Sequence, residues 1–314
     1  MPTWSPASGR RASYTSAMTM LDRRTFIQAS VGAMGAAVLT ARPSVAASIE
    51  TVGMQLYTVR SELEKDFDGT LAKVAAIGYK EVEFAGYFGR TPQEVKAALK
   101  KHGLSSPSAH IDYPTVSDAA KWAKALDAAR MIGHKYLVNA WVDEPLRNQP
   151  DFWKRAADTY NSAGRAAAAH GIQFCYHNHN FEFYPRQDTG GQLPMDVLLE
   201  TCDSTLVKIE MDLCWIAAAG KDPVAYFRKY PARFPLVHVK GLRRVPAPSA
   251  DPTPIAEILP EITDVGHDDA IDWKRILAAS KPAGIAHYFV EHDNPRDAFA
   301  SLKASYAYLS RLSF

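Results

Sequence analysis

Cysteine is scarce: Cys175, Cys202 and Cys214 are the only three in 314 residues, an odd count with no C-x-x-C spacing. That excludes a disulfide framework and a zinc knuckle, and each sits in an apolar run as a small buried hydrophobe does. Charge of one sign is lacking as well. Lys and Arg number 36 against 34 Asp and Glu, for a net charge of +2. With no basic stripe interleaved with aromatics, nucleic acid is excluded as a partner. No G-x-G-x-x-G follows the first predicted strand, which removes a dinucleotide fold. No apolar run in the mature chain is long enough for a stable membrane span.

What is present begins with DRRTFIQASVGAMGAAVLTARPSVA, residues 22–46. A charged start, a short Ala/Gly/Val run and a small-residue end predict a signal segment over 1–47, with Met20 as an alternative start. Arg23-Arg24-Thr25-Phe26 resembles a twin-arginine signal, which implies export of the folded protein to the periplasm. Residues 48–314 then form the mature domain.

Five times in that domain a helical pattern ends in glycine and a β-type run follows: AAIGYKEVEF, KKHGLSSPSAH, RMIGHKYLVN, AAHGIQFCYH and KPAGIAHYFVE. Glycine closes a helix at positive φ without a Cβ penalty, so each marks a helix-to-strand joint. The pattern predicts strands near 52–57, 80–84, 105–110, 135–139, 172–177, 206–212, 235–240 and 285–291. Helices are predicted near 66–77, 91–102, 115–132, 151–170, 194–202, 222–229, 272–280 and 295–311. In the helix at 115–132, Ala120, Ala123, Leu126, Ala129 and Ile132 or Met131 form the expected core stripe. Eight βα units without a linker predict a single-domain α/β fold, a (β/α)8 TIM barrel. The Pro-rich stretch 243–264 is expected to be a long loop at the barrel mouth.

A TIM barrel keeps its active site at the C-terminal strand ends. Polar groups stand there on nearly every strand: Gln55 and Tyr57, Glu83, His110, Asn139, His177 with His179 and Glu182, Glu210 with Asp212, His238 with Lys240, and Glu291. Singly, each is as readily a hydrogen-bonded structural group or a cap; Asp212 has no obvious helix to cap, because the next one begins near Asp222. Together, His177 or His179, Asp212, His238 and Glu291 converge when strands five to eight close. Mixed nitrogen and oxygen donors suit Mn²⁺, Zn²⁺, Fe²⁺ or Co²⁺. In CYHNHNFEF, Cys175, His177 and His179 share one strand face, and Tyr176 and Asn178 the other.

With GMQLYTVR, GYKEVEFAGY, HGIQFCYHNHNFEF, KIEMDLCW, VHVKG, DVGHDDAIDW and HYFVEHD in place, the chain from 50 to 314 resembles the sugar phosphate isomerase/epimerase superfamily of xylose isomerase-like TIM barrels. It is similar to the exported branch near enzymes of 3-keto-glycosides. The resemblance implies a metal held by Glu, Asp, His and Glu from strands five to eight. Asp212, His238 and Glu291 match the last three places. His177 stands where the first glutamate belongs, and Glu182 lies five residues later. That departure breaks the two-carboxylate symmetry of an epimerase.

The resulting expectation is a metal-dependent enzyme removing a proton α to the carbonyl of a keto-sugar, as isomerase, epimerase, or 3-keto-glycoside lyase or hydratase. His177, Asp212, His238 and Glu291 hold the metal in this reading, with Glu182 as the alternative ligand from strand five. Glu291 or Glu182 takes the proton, and His179 or Lys240 delivers one. Gln55, Glu83 and His110 grip hydroxyls, while Trp215, Trp141 and Tyr57 wall the sugar. Its rival is a non-catalytic exported sugar-binding protein on the same fold. Nothing in the sequence sets an oligomeric state.

Overall fold

A computed structural model describes residues 47–314 apart from Pro248; the expected signal segment, except its last residue Ala47, lies outside the described residues. Eight parallel strands close a barrel in which each strand pairs with its neighbours in chain order and the eighth closes on the first. They are β1 Val52–Gln55, β2 Glu81–Phe84, β3 Ser105–Ile111, β4 Tyr136–Asn139, β5 Gln173–His177, β6 Val207–Asp212, β7 Leu236–Val239 and β8 His287–Val290. Around them run α1 Phe67–Ile77, α2 Pro92–His102, α3 Ala119–Ile132, α4 Phe152–Ala169, α5 Pro194–Thr201, α6 Leu213–Ala218, α7 Pro223–Lys229, α8 Trp273–Ala278 and α9 Ala298–Leu309. The TIM barrel read from the sequence is the observed fold. No helix among the described residues is long and apolar enough to cross a membrane.

Local chemistry sets the element ends. All five joint glycines have positive φ, from +65° at Gly103 to +129° at Gly78. A capping box of Thr91 and Glu94 starts α2. Two boundaries differ from expectation for identifiable reasons. β1 stops at Gln55 rather than 57, because the Gln55 side chain accepts a hydrogen bond from Tyr57 N at 3.1 Å and starts a 3-10 turn. The helix expected from 115 splits at Asp118, whose carboxylate caps α3 through Ala120 N and Lys121 N. The core stripe of α3 is also turned. Trp122, Leu126, Ala129 and Ile132 are buried, while Ala120, Ala123 and Met131 are exposed. One indole offers far more apolar area than two alanine methyls, so Trp122 sets which face packs inward.

The barrel interior is layered by strand alternation. Val138, Cys175, Leu236 and Phe289 form an apolar cluster of their own. Cys175, Leu236 and Phe289 each lie two residues before a polar group on the same strand face: His177, His238 and Glu291. The apolar plug therefore carries a polar layer directly above it, at the C-terminal mouth. All three cysteines are free and buried, as their apolar surroundings predict.

Candidate active site

Parallel register puts the polar residues side by side. His177 pairs with Glu210, Asp212 with His238, and Gln55 with Glu83. In the lower part of the layer, Gln55 Nε2 donates to Glu83 Oε2 at 2.8 Å, and Ser108 Oγ donates to Glu83 Oε1. Glu83 Oε2 also receives His238 Nε2 at 2.7 Å and lies 3.1 Å from His110 Nε2. Glu210 Oε2 faces His110 Nε2 at 2.8 Å, His177 Nδ1 at 3.0 Å and His238 Nε2 at 3.3 Å. Three imidazoles thus surround two fully buried carboxylates.

Their charges follow from that packing. Burial and the neighbouring Glu83 charge would raise Glu210, but His238 and His110 outweigh them and hold its carboxyl at about 2. Burial likewise opposes ionisation of Glu83, and His110 and His238 overcome it to keep the carboxyl well below its usual range. Burial disfavours a charged His110, yet Glu83 and Glu210 together lift it to about 9. His177 is pushed well below its ordinary value, first by burial and then by the charge on His238. It is a neutral imidazole beside charged ones.

Above this network sit Asp212, Glu291 and Lys240. Asp212 divides its work between its oxygens. Oδ1 accepts from Cys214 N at 2.9 Å and Trp215 N at 2.8 Å, capping α6. The expectation that Asp212 has nothing to cap is corrected here: LCWIAA is a six-residue helix, apolar throughout, and too short to show a helical period. Oδ2 is buried and accepts no hydrogen bond; its 3.1 Å contact with Lys240 Nζ lacks hydrogen-bond geometry. Burial raises Asp212 to about 6 against the pull of Lys240 and His238. Glu291 Oε2 meets His238 Nδ1 and Lys240 Nζ, each at 2.8 Å. Lys240 also pairs with Asp293 Oδ2 at 3.1 Å.

These residues have the make-up of a divalent-cation site. Asp212, His238 and Glu291 offer ligand atoms within 4.8 Å of one another. His177 Nε2 lies 3.8 Å, and His238 Nδ1 3.9 Å, from Asp212 Oδ2, with Lys240 Nζ nearer at 3.1 Å. Beside Lys240 but without a hydrogen bond, Asp212 Oδ2 keeps its lone pairs for a further cation, and the mixed nitrogen and oxygen donors fit the ion expected from the sequence. His177 also falls in a second group with His110, Glu210 and His238, in which the nitrogens already converge on Glu210.

A cavity of about 430 Å³ opens over the layer. His110, His177, His179, Trp215, Lys240 and Glu291 reach it, and Tyr57 and Trp141 stand at its walls, 40% and 41% exposed. Ile255 and Leu259 come from the Pro-rich loop, which is pinned at its base by antiparallel pairing of Gly241–Leu242 with Ile262–Thr263. His179 stacks on Phe181 at 5.6 Å and meets Trp141 edge-on at 4.9 Å. Its Nδ1 and Trp215 Nε1 are buried without partners.

Three expected site residues lie elsewhere than anticipated. Gln55 and Glu83 are wholly buried and do not line the cavity; their polar atoms are used in the network beneath it. Glu182 is buried to the side, accepting from Tyr176 OH at 2.5 Å and His179 N at 2.9 Å. Burial lifts it to about 7, but it bonds the outward-facing Tyr176 rather than the cation-site residues. Arg243 and Arg244 brace the Pro-rich loop through Pro260 O, Ile262 O and Glu261. Glu210, Ser108 and Asp293 are the network members to which the sequence reading gives no role. For Glu210 the signal existed, since it precedes Asp212 by two residues on one strand face.

A closed (β/α)8 barrel with a layer of buried histidines and carboxylates at its mouth defines a class of protein, and the comparisons place it further. Residues 71–310 match the xylose isomerase-like TIM barrel family, and the chain belongs to it. It is 25% identical over 201 residues to an inosose dehydratase of Bacillus thuringiensis (strain Al Hakam), covering 58% of this chain and 65% of that protein. An inosose dehydratase of Clostridium beijerinckii is 24% identical over 200 residues, with 57% and 65% covered. The chain thus spans 65% of the length of these relatives. A sugar phosphate isomerase/epimerase structure from Parabacteroides distasonis ATCC 8503 superposes with a TM-score of 0.69 at 26% identity, covering 83% of this chain and 98% of that one. D-psicose 3-epimerase from Clostridium cellulolyticum H10 shares the fold, with a TM-score of 0.60 at 15% identity over 82% of this chain and 97% of that one.

Proposed function

We propose that the chain is an exported enzyme, dependent on a divalent cation, that removes a proton from the carbon beside the carbonyl of an uncharged keto-sugar or keto-polyol. The observation that carries this is Asp212 Oδ2, buried, free of hydrogen bonds, 3.1 Å from Lys240 Nζ and faced by His177 Nε2 and His238 Nδ1, below a cavity of about 430 Å³ that His177, Lys240 and Glu291 line. His177, Asp212, His238 and Glu291 are the residues that would hold the ion. When bound there, Mn²⁺, Zn²⁺, Fe²⁺ or Co²⁺ acts as a Lewis acid that polarises the carbonyl and acidifies the neighbouring C–H.

The chain's own groups supply the rest. Glu291, kept ionised by Lys240 and His238 against the effect of burial, reaches the cavity and takes the proton from carbon. His179 is held neutral, chiefly by burial and then by Lys240, and its unpartnered Nδ1 handles the proton at oxygen. Lys240, kept cationic by Asp212, Asp293 and Glu291 despite burial, is a poor acid and serves as a fixed positive charge. Because three carboxylates already engage it, it makes no phosphate cradle, which favours an uncharged substrate. Trp141, Trp215 and Tyr57 offer faces for the sugar's C–H surface. With His177 in place of a second carboxylate, elimination or isomerisation is favoured over epimerisation. The name dehydratase on the relatives points the same way.

The test is solvent deuterium incorporation into a panel of ketoses, inososes and 3-keto-glycosides, with and without added cation. Cation-dependent exchange is expected. His179→Gln should lower it about 10²- to 10⁴-fold without changing bound cation. A protein that binds the sugars yet exchanges none of them is the binding protein of the rival reading. Export rests on the twin-arginine pattern at Arg23-Arg24. Fractionation of cells carrying the tagged chain should find it in the periplasm, and retention of the unprocessed chain in the cytoplasm would refute export.

A further inference from the structure

His177 occupies a ligand position, and an imidazole there presents a problem that a carboxylate would not. A neutral ring carries one proton on one of two nitrogens, and only the nitrogen without it can meet a cation. We infer that Glu210 is the positioning residue of the cation site: its Oε2 accepts the Nδ1 proton of His177 and so turns the Nε2 lone pair toward Asp212 Oδ2. The inference rests on the cation reading above.

The geometry leaves little choice. Ring and carboxylate come from paired positions on adjacent strands, and Nδ1 lies 3.0 Å from Glu210 Oε2. An ionised carboxylate only accepts, so the proton in that contact belongs to the ring. The opposite tautomer would set two lone pairs against each other at that distance, and the N–H it turned toward Asp212 Oδ2 would stand 3.8 Å away, beyond hydrogen-bond reach, so it would not make good the loss. Both residues are buried, so water cannot relieve such a mismatch. Glu210 is itself fixed, because His110 Nε2 meets the same oxygen at 2.8 Å. His110, His177 and Glu210 thus form a brace under the site, and the nitrogens of that group point at Glu210 rather than at a vacant ligand position. A histidine ligand held by a carboxylate on its other nitrogen gains both orientation and basicity.

The experiment is Co²⁺ titration of the full-length protein, followed by calorimetry and the visible spectrum of the bound ion. One equivalent is expected for the wild type. Glu210→Ala should weaken binding about ten- to a hundredfold and alter the spectrum. Glu210→Gln should restore most of the affinity, since its amide oxygen accepts the same proton. In a His177→Ala background, adding Glu210→Ala should cost less than about threefold. Wild-type affinity and spectrum in Glu210→Ala would overturn this inference alone, as would an equal loss in both backgrounds. Two equivalents in the wild type, with one lost in Glu210→Ala, would make Glu210 a ligand and overturn it as well. A wild type that binds no cation overturns both readings. Should Glu210→Ala fail to fold, ¹⁵N NMR of the cation-free wild type decides, with His177 assigned by difference: protonated Nδ1 supports the inference and protonated Nε2 refutes it.

Discussion

Asp212→Asn is expected to abolish cation binding and lower turnover by about a thousandfold, or about 4 kcal/mol of barrier, while the protein remains folded. The substitution separates the two oxygens of one side chain. Asparagine caps helices as well as aspartate does, so the amide oxygen can keep accepting from Cys214 N and Trp215 N, and α6 survives. The atom in the place of Oδ2 becomes an NH₂, a donor facing His177, His238 and Lys240 where a lone pair had been. Asp212→Ala removes cap and ligand together and should cost about 1 kcal/mol more in stability than the asparagine variant. Calorimetric cation binding, turnover on any substrate that exchanges deuterium, and urea midpoints are the measurements. Near-normal cation affinity in Asp212→Asn would remove Asp212 from the ligand set and with it the assignment of the site.

That two-oxygen division shows how far the sequence alone reaches. Strand alternation and the glycine joints place His177, Asp212, His238 and Glu291 at neighbouring strand ends, and the register brings them together as expected. Depth is harder to read. Gln55 and Glu83 stand in the same row, yet like Asp212 and His238 they are wholly buried and do not line the cavity, because a residue's height in a tilted barrel depends on stagger between strands. Glu182 escapes for a different reason. Strand β5 ends at His177, and Phe181–Phe183 is a 3-10 turn, so the period-two rule no longer says which way a side chain points. Lys240 is legible as a polar strand end, but its third carboxylate, Asp293, arrives on the segment after β8. Contacts made across the mouth by loops leave no periodic trace.

Lys240→Met is expected to destabilise the cation-free protein by about 3 to 5 kcal/mol, the usual consequence of removing one partner from a buried ion cluster. Asp212, Glu291 and Asp293 would then face one another with Lys240's charge gone. In the wild type the lysine's value is raised well above its ordinary one by those carboxylates, against the effect of burial. Its contribution is therefore fully present below the unfolded value of about 10.4 and is lost only as pH rises through the folded value, leaving neutral pH unaffected. The variant reverses the dependence. Crowded carboxylates with raised values hold more protons in the folded state than in the unfolded one, so stability falls as pH climbs above about 4, and the variant should be firmer at pH 5 than at pH 8. A divalent cation should substitute for the lost ammonium, stabilising Lys240→Met more than the wild type and binding it more tightly, since lysine and ion meet the same oxygens of Asp212 and Glu291. Urea unfolding at pH 5 and pH 8, with and without Mn²⁺, reads all three effects. A variant as stable as the wild type at pH 8, and indifferent to cation, would mean that these carboxylates do not carry the charge on which the site depends.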